Sequence, residues 1–347
     1  MPLSRRTTLK GATLAALLLA PAARAAQRLR LLLNTGLSGP LAFFVLAQER
    51  GYLAEAGIDL RTQSGGGAAA IVPQVVDGQW EAGYGDMPAL IERIARGRPG
   101  EEPVAIYTPF NATPLTIAVD AAGPIRTPRD LQGRTLIGHG NDAALLTFDL
   151  FAAATGIDAS QVRVQASWAG MGSQVAEMLE GGRVHGVFGF VNTLIASIAP
   201  LGIAPGRLRF IDYAEHLPEL YGNTLFVTRD TLRRHRALLP ALVRAINRGL
   251  ADTAADPDAA IDALLRVAPG ASREVNRVRL LGTLRTEMAH PEGARIGVGD
   301  MDDARLARMI DRIVTVKRLP RRPAADEVFD RAFLPPAAER IRSLARP

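Results

Sequence analysis

Six short stretches of this chain pair glycine with a few polar or aromatic side chains: Gly36-Leu37-Ser38-Gly39-Pro40, Ser64-Gly65-Gly66-Gly67-Ala68, Gly85-Asp86-Met87-Pro88, Gly138-His139-Gly140-Asn141-Asp142, Trp168-Ala169-Gly170-Met171-Gly172-Ser173 and Phe190-Val191-Asn192-Thr193. Each follows an apolar run and precedes a segment with helical spacing, so each is expected where a strand hands over to a helix. A helix start presents unpaired backbone N–H groups and a partial positive charge, which suits an anion or a polar solute. The lone carboxylate of Asp86 points the other way: it would repel an anion and accept hydrogen bonds from an amine, an amidine-like ring edge or a hydroxyl. Tyr84, Trp168 and Tyr221 stand at element ends beside small residues, where a ring can face a ligand. Phe43 and Phe44 lie on a helical pattern and read as core, and Trp80 is expected behind the third strand. Taken singly, each corner also fits a structural reading, with glycine for the turn, Asp86 or Asn141 as a helix cap and Pro88 in a first turn.

Bond-breaking chemistry has little to work with. The chain has no cysteine, so it has no thiolate nucleophile, disulfide or thiolate metal site. Its histidines, His139, His185, His216, His235 and His290, show no metal-ligand spacing. Neither a G-x-S-x-G elbow nor a phosphate loop occurs. The lysines are Lys10 and Lys317, neither placed to carry a pyridoxal-type cofactor. No cofactor and no metal are expected.

These corners need a scaffold that brings them to one edge. From Arg28 onward the chain alternates short apolar strands with helices, the pattern of a parallel sheet covered by helices. Strands are expected at residues 29–34, 58–63, 82–85 and 104–108, with helices at 41–50, 69–77 and 88–96 between them. A second unit repeats the theme with strands at 135–138, 162–166 and 184–190 and helices at 143–155, 173–180 and 193–199. Beyond residue 228 the pattern is almost wholly helical. At 347 residues two lobes are the default. The late helical block should return to cover the first lobe, which needs two chain crossings, expected at residues 114–119 and 222–227.

The first 25 residues are a separate matter. Ser4-Arg5-Arg6-Thr7-Thr8-Leu9-Lys10, an apolar run and Ala23-Arg24-Ala25 have the order of an export signal, here of twin-arginine type, with cleavage after about Ala25. Arg5, Arg6, Lys10 and Arg24 lie in it without any acid, so the formal net charge of +6 falls to +2 beyond it. A nearly neutral surface offers no concentrated field for nucleic acid. The expected location is the periplasm, and without a cysteine no lipid anchor can be attached there.

Several motifs then coincide. AQERGYLAEAGIDL (47–60), VVDGQWEAGYGDMPALI (75–91), RTPRDLQGRTLIG (126–138) and EGGRVHGVFGF (180–190) resemble the NMT1/THI5-like, or sulfonate/nitrate/taurine-type, solute-binding proteins of ABC importers. YGNTLFV (221–227) and GVGDMDDARLARMID (297–311) resemble a subgroup of them. The resemblance implies an α/β type II periplasmic-binding-protein fold, with lobe 1 formed by residues 26–113 and 226–347 and lobe 2 by residues 114–225. It implies a monomeric receptor that closes on a small solute and delivers it to a membrane permease served by a separate ATPase. Ligand contacts would fall at Ser38, Gly39, Gly66, Gly67, Ala68, Asp86, Met87, Asn141, Asp142, Ala143, Asn192 and Asn223. His185 departs from the family pattern, which has an acid there. The carboxylate at Asp86 favours a nitrogen-containing solute, such as a thiamine-precursor-like pyrimidine, over an alkanesulfonate, taurine or nitrate. Fungal pyrimidine synthases share the superfamily, but the lysine and cysteines of those enzymes have no counterpart here.

Overall fold

The computed structural model describes residues 26–344, so the expected export segment lies outside the described residues. Ten strands form two sheets: β1 (Gln27–Leu33), β2 (Ile58–Ser64), β3 (Ala82–Asp86), β4 (Val104–Tyr107), β5 (Leu115–Asp120), β6 (Thr135–His139), β7 (Arg163–Ser167), β8 (Gly186–Phe190), β9 (Leu208–Asp212) and β10 (Asn223–Val227). The first sheet runs β2-β1-β3-β10-β4 and the second β7-β6-β8-β5-β9. β1, β2 and β3 are parallel, as are β6, β7 and β8, whereas β10 and β5 run antiparallel to both of their neighbours. Each antiparallel strand sits in the sheet entered after a crossing, so the two lobes share one chain path.

The expected alternation is present, with four differences. β9 was not anticipated, because its Leu-Arg-Phe-Ile-Asp sequence is short and interrupted by an arginine, although Pro205-Gly206 in front of it is a turn signal. The helix expected over residues 143–155 breaks at Thr147, whose hydroxyl bonds back to the Ala143 carbonyl at 2.6 Å. Residues 222–227 do not bridge the lobes: Asn223–Val227 pairs along its length with β3, so a lobe boundary at 225 would cut a strand of the first sheet. The chain instead crosses between β4 and β5 and between β9 and β10. The late helices do more than cover lobe 1. Leu239–Ala255 and Pro257–Val267 pack on Ala42–Glu49 as expected, but Arg273–Thr283 also packs on Val191–Ile198, and Asp303–Val316 on Phe148–Thr155, both in lobe 2.

A continuous apolar core runs from Leu31, Phe43 and Phe226 in lobe 1 through to Phe151 and Phe188 in lobe 2, and a smaller cluster around Val175, Val187 and Leu194 lies under the lobe 2 helices. Among the described residues no helix is long and apolar enough to cross a membrane.

The two crossings are tied together by a buried arginine. The Arg305 guanidinium donates to the carbonyl of Asn111 at 2.7 Å and to that of Leu220 at 2.8 Å, one on each crossing. It also pairs with Glu292 at 3.2 Å and lies 3.9 Å from the centre of the Tyr221 ring. Tyr221 donates to Glu292 at 2.5 Å, and burial raises its own pKa. Removing the cation would leave a buried carboxylate without its partner, a loss of about 3–5 kcal/mol. Arg305→Ala should lower the unfolding free energy by about that amount in urea titrations, a larger effect than breaking any of the exposed ion pairs such as Arg28–Asp59.

Candidate functional site

The strand ends of the two sheets face each other across a cavity of about 450 Å³. Lobe 1 contributes Asn34, Thr35 and Gly36 after β1, Gly65 to Ala68 after β2, and Arg279 from the late helix Arg273–Thr283. Lobe 2 contributes His139, Asn141, Asp142 and Ala143 after β6, the Trp168–Met171 turn with Gln174 after β7, and Phe190 and Thr193 after β8.

The helix starts here are of two kinds. Asp142 caps its own helix by accepting from the Ala144 and Leu145 N–H groups at 2.8 and 3.3 Å. The helices Met171–Leu179 and Val191–Ile198 begin at Gly170 and Phe190, whose side chains make no cap. At the second, the Val191 N–H is taken by the Pro114 carbonyl at 3.2 Å and the Asn192 N–H by the Glu287 carboxylate, so it is the start at Gly170, on the cavity wall, that brings a partial positive charge there. Arg279 adds a full one. It donates to Thr193 across the lobes at 2.8 Å and its Nε has no hydrogen-bond partner, while the Glu287 carboxylate, beyond ion-pair distance, favours its charged form. Burial lowers its pKa. Burial also pushes Asp142 up to about 6, so this acid is still mostly charged at neutrality and loses its charge below about pH 6. Arg279 was not anticipated from the sequence, because it sits within a helical run that carries several other arginines.

The lobes are closed on one another. Asn141 donates to the Gly66 carbonyl at 3.2 Å, and Asn192 donates to Glu287 at 2.7 Å and to Thr286 at 3.1 Å. Lys317 spans the junction, 3.0 Å from Glu92 on lobe 1 and 3.2 Å from Asp149 on lobe 2. Gly67 sits at φ +125, and a Cβ there would lie 2.7 Å from the Asn141 carbonyl oxygen, so only glycine allows this approach.

Of the residues singled out in the sequence, Gly66, Gly67, Ala68, Asn141, Asp142, Ala143 and Trp168 line the cavity. The others lie elsewhere. Tyr84 is fully buried with its ring edge-on to Phe44 at 5.2 Å, and Met87 is core. Tyr221 belongs to the hinge cluster described above. Asn192 serves the lobe junction, and the Gly39 N–H is held by Asn276 at 2.8 Å behind the first turn. Ser38 Oγ, Tyr84 Oη and both amide atoms of Asn223 are buried without a hydrogen-bond partner among the described residues, and such groups ordinarily find a solute or a water. The His185 ring accepts the Thr135 N–H at 3.2 Å, so this position stitches β6 to the turn before β8.

Asp86 is 2 % exposed and does not reach the main cavity. It accepts from the Ala89 N–H at 3.1 Å as a helix cap and lines a separate cavity of about 290 Å³ with Glu92, Arg93, Thr147 and Lys317. Burial, reinforced by Glu92 and Asp142, pushes its pKa up to about 7.

Comparison with known proteins agrees with this architecture. The NMT1/THI5 like family model matches residues 40–260. The chain belongs to that family. Among solved structures, the alkanesulfonate-binding protein SsuA of Xanthomonas axonopodis pv. citri bound to MOPS superposes with a TM-score of 0.63 at 16% identity, covering 90% of this chain and 99% of that one. The periplasmic aliphatic sulphonate binding protein SsuA of Escherichia coli gives 0.63 at 15% identity, covering 87% and 91%. A DSZB mutant in complex with biphenyl-2-sulfinic acid gives 0.59 at 16% identity, covering 88% and 97%. These likenesses establish a two-lobed periplasmic-binding-protein fold of type II for this member of the family. No curated protein matches the chain.

Two outcomes follow from this geometry. Gly67→Ala should hold the lobes apart, which small-angle scattering would record as a larger radius of gyration than that of the parent protein. Asp86 carries its proton in the folded state up to about pH 7, against an ordinary value of 3.8. Between those values the folded protein holds the extra proton, so the contribution of Asp86 to stability is present at low pH and lost as pH rises through about 7. Asp86→Asn, which keeps an acceptor oxygen and has no proton to lose, should therefore gain stability relative to the parent from about pH 4 to about pH 8 in urea titrations.

Proposed function

We propose that this chain is the solute receptor of an ABC importer and that its solute is a small organic molecule bearing an anionic group. The observation that carries the reading is the convergence of Arg279 with the uncapped helix start at Gly170 on one cavity between the lobes. A carboxylate or sulfonate placed there would receive backbone N–H groups and a guanidinium together. A sequence argument from Asp86 favours a nitrogen-containing solute instead, but that carboxylate faces another cavity and caps its own helix. The sulfonates and sulfinic acid named for the neighbours above have the same head-group chemistry.

The mechanism is capture without bond breaking. A solute that touches both walls stabilises the closed arrangement over the open one by its differential contacts. The contacts that join the lobes, at Asn141, Asn192 and Lys317, then form with it. The mature chain works in the periplasm as a monomer and presents the closed form to a membrane permease whose ATPase is a separate subunit.

A thermal-shift screen against sulfonates, carboxylates, pyrimidines and amines tests this directly, since a ligand at about 100 times its Kd adds about 2.7 kcal/mol of apparent stability. Acids should shift the transition and amines should not. Arg279→Ala should weaken the acids found in this way by about tenfold to a hundredfold in calorimetry, the worth of a hydrogen bond to a charged group. Undiminished affinity in that variant would refute the anion reading.

A further inference from the structure

The Trp168 indole is the largest apolar surface at the cavity, and it has no structural employment. It is 73% exposed and belongs to neither apolar cluster. It follows β7, an edge strand of the second sheet, and its aromatic neighbour among the described residues is His139, edge-on at 4.6 Å. The backbone at Gly140 runs against the ring, where a Cβ would come within 3.2 Å, so the indole is seated on bare main chain. Much of the remaining wall is glycine and alanine, at Gly65, Gly66, Gly67, Ala68, Ala169 and Gly170.

Size adds a second constraint. A cavity of about 450 Å³ lies in the range that takes organic ligands, and an anion of four or five atoms would leave most of it to water. An aromatic ring left in contact with water at such a wall gains by covering itself with a flat partner. We infer that the solute carries a planar aromatic or heteroaromatic body that lies against Trp168 while its acid group meets Arg279. Trp168 is thus the residue that separates aromatic acids from short aliphatic ones and from inorganic anions. The inference rests on the anion reading of the same cavity.

Benzenesulfonate and methanesulfonate, compared by calorimetry on the mature chain, test it. The parent protein should bind benzenesulfonate about tenfold or more tighter, equivalent to about 1.4 kcal/mol. Trp168→Ala should bring the two within about twofold of each other while leaving the melting temperature of the solute-free protein unchanged, and Trp168→Phe should keep most of the preference. Indole fluorescence gives a second readout: Trp80 is the other tryptophan, so a change on adding benzenesulfonate that vanishes in Trp168→Ala places the ring beside the ligand. A benzenesulfonate preference that survives in Trp168→Ala, or no preference in the parent, overturns the inference. Arg279→Ala separates the two ideas, because loss of both sulfonates upholds the anion reading whatever Trp168 does. Binding of both sulfonates unchanged in Arg279→Ala overturns that reading and the inference that rests on it. Absence of saturable binding for either sulfonate overturns both.

Discussion

Strand direction is the constraint on which this molecule depends. Because β1, β2 and β3 run the same way, the segments that follow them all emerge at one edge of the first sheet, and β6, β7 and β8 do the same in the second. Placing those two edges face to face brings backbone N–H groups from unrelated parts of the chain to a common space. The sequence then decides, corner by corner, whether that polarity is consumed locally or left available. Asp86 and Asp142 consume it with their own carboxylates, the start after Phe190 gives its N–H groups to Pro114 and Glu287, and Gly170 has no side-chain oxygen to offer. The difference is one side chain per corner, and it converts a generic scaffold into a directed electrostatic environment.

Much of the fold was legible in advance because its signals are local. Gly-Gly-Gly at 65–67 and Gly-Asp-Met-Pro at 85–88 announce their turns by composition, and alternation of strand and helix follows from apolar spacing. What stayed hidden depends on contacts far apart in the chain. Tyr221 beside Gly222 looks like a ring facing a ligand until Glu292 and Arg305 are placed around it, more than seventy residues later. Arg279 looks like one more charge on a helix until that helix is seen to bridge both lobes. Asp86 sits at a strand-to-helix corner like the cavity residues, yet its side chain leaves on the other side of the Ala68 turn. Seven of the residues expected at the site do line one cavity: six come from the turns at Gly66 to Ala68 and Asn141 to Ala143, and the seventh is Trp168.

The solved structures that share this fold include transport receptors and a desulfurization enzyme. A common architecture therefore says little about chemistry, which must be argued from side chains. Among the residues that line the cavity, Arg279 brings a positive charge and Asp142 an acid that caps its own helix.

Lys317 has a consequence for the bench. It is the one lysine beyond residue 25, and its ammonium is shared between Glu92 and Asp149 across the closed junction. Reagents that acylate amines would reach it only when the halves separate, so the rate of its modification becomes a clock for opening. For the same reason, coupling to a sensor chip through amines would run mainly through the α-amino terminus, and any share that went through Lys317 would hold the halves apart.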